Sequence, residues 1–264
     1  NPQIDKSKLI FTKEGNSVKY SHYGVQVNFD KPKIDSNKKD LTGLVISNQI
    51  FNNMSITKDF SGTVFKNVIF KNMNITSSKF SGTQFLNSTF INVNLKNSDF
   101  SGSYLKVVKF NESNLEQTLF KHFRGDKVVF LNTILNNTNF SFSKMSGVVF
   151  DNNDLRTVIL DNARMDNAKF LKSNLKDLTI NNSNLRKSTF EESEVGNLKF
   201  NNVGVDGIIF DKNTDMPLKL RSEIIFRDSV KPIVEYNDYL SRVFKNQLIK
   251  HFGFDPDNPY TKFY

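Results

Sequence analysis

The residue types that most often carry enzymatic chemistry are scarce in this chain and far apart. It has no cysteine, which excludes a thiolate nucleophile and a cysteine-based zinc site. Its three histidines, His22, His122 and His251, are separated by long stretches of sequence. A histidine-centred catalytic triad or a metal site with several histidines is therefore not expected.

Carboxylates are the remaining candidates, and two groups of them lie close together in the sequence. Asp151 is near Asp154, and Glu191 and Glu192 are followed by Glu194. Paired carboxylates act as general acid and base only where a cleft separates their pKa values. The repeat described below places all of them on the outside of a convex rod, and the sequence lacks the glycine-rich motifs that bind phosphates. We therefore predict a protein that is not an enzyme, with no catalytic residue, no cofactor and no metal.

Charge and hydropathy narrow the functional classes further. The chain of 264 residues has a formal net charge of +9, and its Lys and Arg residues are interspersed with Asp and Glu. This mixture is typical of a solvated surface, and no basic stripe interleaved with aromatic residues indicates nucleic-acid binding. No run of about 18 apolar residues predicts a transmembrane helix, and Asn1 to Lys8 do not resemble a signal peptide. The chain begins without Met, and we expect it to be part of a longer product.

The elements that would position any functional side chain are set by a five-residue period. Every fifth residue from Phe60 to Phe210 is apolar in 30 of 31 positions, and Gly125 is the exception. Two residues before each of these, Ser, Thr, Ala or Val fills 24 of 30 positions. A helix has a period of about 3.6 residues and a strand a period of about 2. The pattern therefore predicts a coil that turns a corner every five residues, with large and small side chains pointing inward.

Sorting the large residues every twenty positions indicates four sides per coil. One column is entirely Phe, the opposite column is Phe except for Leu160 and Ile180, and a column between them contains no Phe. We therefore predict a four-sided interior in which equivalent rings stack about 4.8 Å apart along the axis. The all-Phe column is the predicted structural core, and it comprises Phe70, Phe90, Phe110, Phe130, Phe150, Phe170, Phe190 and Phe210.

The pattern resembles the pentapeptide-repeat family, whose consensus is a small residue, Asp or Asn, Leu or Phe, and two polar residues. Ser98 to Gly102, with the sequence SDFSG, and Ser113 to Leu115 match this consensus closely. The resemblance implies an all-β fold, a right-handed quadrilateral β-helix or pentapeptide-repeat solenoid. A repeat fold of this kind does not by itself specify a function.

The corners of the predicted coil account for the abundance of asparagine. Six of the eight residues in the corner column that begins at Gly62 are Gly or Asn. These residues best tolerate the positive φ that a turn often requires. We therefore assign the asparagines a structural role and not a binding code.

The repeat breaks once, at Lys121 to Gly125. There Phe123 fills the small inward position and Gly125 the large one. We expect Phe123 to occupy the volume vacated at Gly125, with Met145 and Met165 of the same column adapting to the irregular space. The alternative is that the break exposes a binding loop.

Both ends of the coil need caps, since an open end exposes apolar residues and unpaired strand groups. Alternating apolar residues within Lys8 to Asn28 predict an N-terminal β-hairpin. Residues Ser229 to Phe252 predict an amphipathic C-terminal α-helical segment, for which we favour a cap or a homodimer contact over membrane binding. The predicted domains are 1–43 for the hairpin cap and linker, 44–212 for the β-helix, and 213–264 for the helical segment.

The resemblance also implies a set of functions. Several secreted bacterial effectors with this architecture use the rod for docking, which favours a non-catalytic protein-interaction scaffold that acts on a host protein in virulence. The alternatives are a DNA mimic that occupies a topoisomerase and the targeting domain of a larger enzyme. Mimicry requires a strongly acidic rod, whereas residues 60–210 contain 18 basic and 13 acidic residues, a net charge of +5. The expected compartment is the bacterial cytoplasm or, after secretion, a host cell.

An exposed apolar patch is the predicted docking place for a protein partner whose identity the sequence does not give. Some residues directly before the large inward ones are apolar where polar residues are expected, and exposed apolar patches often mark interfaces. The alternative explanation is that β-branched residues favour extended backbone in any case. The residues of the predicted patch are Val129, Leu131, Ile134, Val149 and Ile159.

Overall fold

The structure describes the repeat and, before it in the sequence, three N-terminal strands. The computed structural model describes residues 41–211 and 213–214 in full, and the backbone alone of residues 12–14, 17–22 and 25–29. The N-terminal strands are β1 (Thr12–Glu14), β2 (Ser17–His22) and β3 (Val25–Phe29), which pair in an antiparallel sheet. Their role as a cap and the domain boundaries stay predictions. The predicted helix from Ser229 to Phe252 lies outside the described residues.

The remaining strands belong to one continuous coil. They are β4 (Val45–Asn52), β5 (Val64–Asn74), β6 (Gln84–Asn94), β7 (Tyr104–Asn111), β8 (Arg124–Leu131), β9 (Val149–Asp151), β10 (Lys169–Leu171), β11 (Thr179–Asn181), β12 (Thr189–Glu191), β13 (Lys199–Asn201) and β14 (Ile209–Phe210). A nine-stranded parallel sheet has the order β14-β12-β10-β9-β8-β7-β6-β5-β4, and β11 pairs with β13. Isolated parallel bridges continue the pairing elsewhere around the coil.

Strands pair between residues twenty positions apart, and the chain turns a corner every five residues, so each coil has four sides. Phe70 lies beside Phe90, and Phe90 lies beside Phe110. We name the sides by their large inward residues, in columns of every twentieth position. Side A contains Phe60, side B Phe65, side C Phe70 and side D Ile75, so that A is opposite C and B is opposite D. The residue before each large one is the central outward residue of its side, and the two residues after it form the corner. The predicted all-β solenoid is therefore confirmed, with about eight turns.

The interior consists of stacked side chains. On side C, the ring centroids of consecutive Phe residues are 4.7 Å apart between Phe70 and Phe90 and 5.2 Å apart between Phe130 and Phe150. The rings are nearly parallel, with interplanar angles of 6° and 10°. Rings on opposite sides meet edge to face, as for Phe140 and Phe150 at 5.9 Å. All eight Phe residues predicted as the structural core are buried.

The small inward residues form a second ladder through their hydroxyl groups. The Ser98 Oγ donates to the Ile75 carbonyl at 3.0 Å and accepts from the Ser78 backbone N–H at 3.2 Å. Such bonds satisfy backbone groups that face the interior at the corners, where a buried unpaired group costs about 1–3 kcal/mol. The same position holds Asn153, whose Nδ2 donates to the Phe130 carbonyl at 2.9 Å.

The corners have the backbone conformation that the composition predicts. Every fifth residue from Gly62 to Gly207 has a positive φ, except Thr157. Asparagine is common there because its side chain tolerates this conformation and bonds to its neighbour in the next coil. The Asn92 Nδ2, for example, donates to the Asn72 Oδ1 at 3.0 Å.

The first coil is one residue shorter than the others. Phe51 pairs with Phe70, nineteen positions away, whereas Asp59 bridges to Lys79, twenty positions away. The missing residue lies between Ile56 and Phe60. The repeat therefore extends back to residue 41, but its phase is shifted by one position, which obscures it in the sequence.

The break in the repeat is an irregularity of packing and not a loop. Phe123 is fully buried, and a Cβ on Gly125 would lie 2.9 Å from the Phe123 Cε2 and 3.5 Å from the Met145 Cβ. Phe123 thus fills the space that a large residue at position 125 would take, as predicted. Because Gly125 lies within strand β8, the alternative of an exposed binding loop is wrong.

Candidate protein-docking surface

The predicted apolar patch is divided among three sides of the rod. Val129 and Val149 lie beside each other on side C, and Leu131 follows at the C–D corner. Ile134 lies on side D, and Ile159 lies on side A, opposite side C. Four of the five residues therefore lie around the C–D corner, and Ile159 lies apart from them on side A. That a partner docks on this patch stays a prediction.

A different apolar cluster lies on side A and at the A–B corner. Leu119 and Ile159 flank Asn139 in the central outward column of side A. Phe142 lies at the A–B corner, and its ring stacks on that of His122 with centroids 5.0 Å apart and an interplanar angle of 16°. Leu119 is 37% exposed, Phe142 51% and Ile159 40%. We call Leu119, His122, Phe142 and Ile159 the apolar edge.

Side B carries a row of basic residues next to the apolar edge. Arg124, Lys144 and Arg164 are the central outward residues of three consecutive coils, and parallel bridges join each to the next. Tyr104 has the same position one coil earlier. We call Arg124, Lys144 and Arg164 the cation ladder. All three are exposed, and none forms an ion pair with any residue from 41 to 211.

The cation ladder places three like charges in succession in one column. At several other positions opposite charges meet between coils, as where the Lys96 Nζ lies 2.9 Å from the Glu116 Oε2. In the ladder, like charges are attached to strands about 4.8 Å apart, an arrangement that destabilises a sheet. Asp126 and Asp166, at the B–C corner, form no ion pair with it among the described residues. Unfavourable local arrangements of this kind are expected at functional sites.

A shallow open groove of about 690 Å³ crosses side B. Gly82 and Gly102 form its lining at the A–B corner, where they have no side chains, and Tyr104, Arg124 and Lys144 line it on side B. The corner column changes from glycine to His122 and Phe142 in the next two coils. The groove and the apolar edge are therefore neighbours on the same corner of the rod, and neither is a closed cleft.

The carboxylates singled out in the sequence are engaged in local contacts. The Arg156 guanidinium donates from Nε and Nη2 to Asp154, at 2.9 and 2.6 Å, and this hydrogen bonding lowers the pKa of Asp154. A general acid at neutral pH requires a raised pKa, so the shift has the wrong sign for that role. Hydrogen bonds from Ser61 likewise lower the pKa of Asp59.

The glutamate group has similar local partners. The Glu194 Oε2 lies 2.7 Å from the Lys176 Nζ, and the Glu192 Oε2 lies 4.0 Å from the Lys172 Nζ. Glu191 accepts a hydrogen bond from the Thr189 hydroxyl. Within residues 41–211, no three His, Asp or Glu residues are grouped so as to hold a metal ion. The described part of the chain also has no helix of the length and hydropathy that a membrane span requires.

Most of this surface was not predicted from the sequence. The predicted patch includes Ile159 but neither Leu119 nor Phe142, and no basic stripe was predicted. The twenty-residue period, applied to outward residues as it was to inward ones, provides the missing signal. Positions 119, 139 and 159 then fall in one column and positions 124, 144 and 164 in the next.

The described residues form a repeat scaffold with a solid core of stacked inward side chains. Comparison with protein-family models finds pentapeptide repeats at residues 69–106, 83–121 and 133–170. Over these residues the coil is therefore built of pentapeptide repeats.

Three solved structures match this chain at low sequence identity. HetL, a pentapeptide repeat protein involved in heterocyst differentiation regulation in the cyanobacterium Nostoc sp. strain PCC 7120, is 14% identical, with 69% of this chain and 93% of HetL covered and a TM-score of 0.42. A trypsin-treated form of QnrB1, a plasmid-mediated fluoroquinolone resistance protein, is 18% identical, with coverage of 77% and 96% and a TM-score of 0.41. A pentapeptide repeat protein from the Arabidopsis thaliana thylakoid lumen is 17% identical, with coverage of 45% and 74% and a TM-score of 0.21. Comparison with curated protein sequences gives no match.

Proposed function

We propose that this chain is a non-catalytic protein-interaction scaffold that docks a partner on the A–B corner of its β-helix. The observation that carries the proposal is the apolar edge, because exposed Leu119 and Ile159 flank Asn139 on side A and exposed Phe142 lies at the adjoining A–B corner. Transfer of such apolar surface from water to an interface is favourable by roughly 25 cal/mol per Å².

The construction of the rod supports this role. Stacked inward residues hold the coils in register, so the outward side chains occupy fixed columns before a partner arrives. A preorganised surface loses little conformational freedom on binding, which favours affinity. The groove on side B is shallow and open, unlike the concave, water-excluding pockets in which most enzymes place their catalytic groups.

Other functions have less support. The net charge of +5 over residues 60–210 disfavours mimicry of DNA at a topoisomerase. The idea that the partner is a host protein rests on the resemblance to secreted effectors alone, and it stays a prediction. The same holds for a targeting role within a larger enzyme and for a homodimer through the C-terminal segment.

Affinity capture with paired variants tests the proposal. The double variant Phe142→Asn with Ile159→Thr removes apolar surface but respects the backbone, since Asn tolerates positive φ and Thr is β-branched. We expect this variant to lose the proteins captured by the unchanged chain and to keep its midpoint of urea unfolding. The control is Ile134→Thr with Val149→Thr, which alters sides C and D and should leave capture unchanged.

Two outcomes would contradict the proposed site. If both double variants capture the same proteins as the unchanged chain, the apolar edge does not dock a partner. If only the control loses capture, the docking surface lies on sides C and D, where Ile134, Val129 and Val149 are found.

A further inference from the structure

The cation ladder indicates the chemistry of the partner, which the apolar edge alone leaves open. Arg124, Lys144 and Arg164 repel one another, and no ion pair with residues 41–211 offsets that repulsion. Carboxylates supplied by a partner would replace this repulsion with attraction. Building on the proposed function, we infer that the partner contributes an acidic amphipathic helix that lies along the A–B corner. Its apolar row contacts the apolar edge, and its carboxylates contact the cation ladder.

The spacing of the surface favours a helix over an extended strand. Arg124 and Arg164 are two coils apart, a distance of about 9.6 Å along the rod. Helix residues seven positions apart are separated by about 10.5 Å and lie on the same face. Every fourth residue of an extended strand is separated by about 13 Å, which overshoots the ladder. Leu119 and Ile159 are also two coils apart, so a helix parallel to the rod matches both rows.

Charge and hydropathy disfavour two other ligands of this surface, the chain's own predicted helix and a nucleic acid. The chain's own predicted helix, Ser229 to Phe252, contains four basic and two acidic residues, which makes it a poor partner for a basic surface. The phosphates of a single-stranded nucleic acid could contact the cation ladder, and one of its bases could stack on Tyr104. It has no row of apolar groups, however, to contact Leu119 and Ile159. The coexistence of the two rows therefore favours an acidic, apolar protein segment.

The test uses a fluorescent synthetic peptide of about 18 residues that is designed as an amphipathic helix. Leu residues at i, i+3, i+4 and i+7 form its apolar face, and Glu residues line the adjacent face. Fluorescence anisotropy with the full chain gives its dissociation constant. We expect saturable binding that weakens at least tenfold between about 50 mM and 300 mM salt, because exposed charges are screened. A peptide with every Glu replaced by Gln should bind at least tenfold more weakly than the Glu peptide at the lower salt.

Matched variants separate the ladder from overall charge. The triple variant Arg124→Gln, Lys144→Gln and Arg164→Gln should raise the dissociation constant at least tenfold and remove the salt dependence. The control triple Lys169→Gln, Lys187→Gln and Lys199→Gln has the same change in net charge at scattered positions, and it should bind within twofold of the unchanged chain. The single reversal Lys144→Glu serves as a second ladder variant if the triple variant has an altered unfolding midpoint.

Several results would overturn the inference. They are no saturable binding of the acidic peptide, equal losses in the two triple variants, and tighter binding of a single-stranded oligonucleotide with the same dependence on the ladder. If capture depends on Phe142 and Ile159 but peptide binding does not depend on the ladder, this inference fails while the proposed function stands. If peptide binding depends on the ladder but is unchanged in the Phe142→Asn, Ile159→Thr variant, the inference fails in its apolar half, whereas the proposed function is decided by the capture experiment.

Discussion

Single residues in this protein have roles that follow from their place in the five-residue period. Phe is frequent because its ring fills a quarter of each coil and stacks on its equivalent in the next one. Asn is frequent because the corners have positive φ. These inward and corner positions were predictable, since each has the same neighbours in every coil. Outward positions such as Leu119 and Arg124 were not predictable, because almost any side chain is tolerated in solvent. Their neighbours are identified only when residues twenty positions apart are compared.

Two phenylalanines test the assignment of inside and outside. Phe150→Ala removes a fully buried ring and should lower the free energy of unfolding by about 3–5 kcal/mol. Phe142→Ala removes a half-exposed ring and should cost less than about 1 kcal/mol. Urea denaturation followed by circular dichroism measures both. Similar losses of stability in the two variants would show that Phe142 is not on the surface, and the apolar edge would then not exist.

The twenty-residue period predicts the structure of most coils but not that of the first one. A strict twenty-residue repeat locates the sides from Phe60 onward, and the structure agrees. The first coil escapes this approach, because one missing residue between Ile56 and Phe60 shifts the phase of everything before it. The predicted packing of Phe123 into the space at Gly125 held because the volumes of inward residues in one coil must sum to a nearly constant value.

Exchange of the two break residues tests this account of strand β8. Phe123→Ser alone leaves a cavity and should cost about 3–5 kcal/mol, and Gly125→Leu alone overpacks the space and should cost about 1–3 kcal/mol. The double variant restores the regular pattern, so we expect it to lie within about 1 kcal/mol of the unchanged chain, with a favourable coupling energy. Additive losses in the urea midpoints would mean that Phe123 and Gly125 do not compensate each other.

At the scale of the whole described coil, outward side chains twenty positions apart form columns with a fixed spacing. The interior sets the distance between coils, and each column then presents its side chains at that distance to a partner. The candidate site depends on this geometry, since the apolar edge and the cation ladder are each assembled from residues of successive coils. No local segment of the sequence contains either of them, and for the same reason the predicted patch included Ile159, which lies apart from its other members.

A distance between two spin labels tests this geometry most directly. The chain has no cysteine, so Lys79→Cys and Lys199→Cys introduce the only two labelling sites, both in the central outward column of side A. They are six coils apart, and pulsed electron–electron double resonance should give one narrow distribution centred at about 29 Å, broadened by a few ångströms by the label linkers. A broad distribution, or a centre beyond about 40 Å or below about 20 Å, would contradict the straight twenty-residue coil and, with it, the docking surface assembled on that coil.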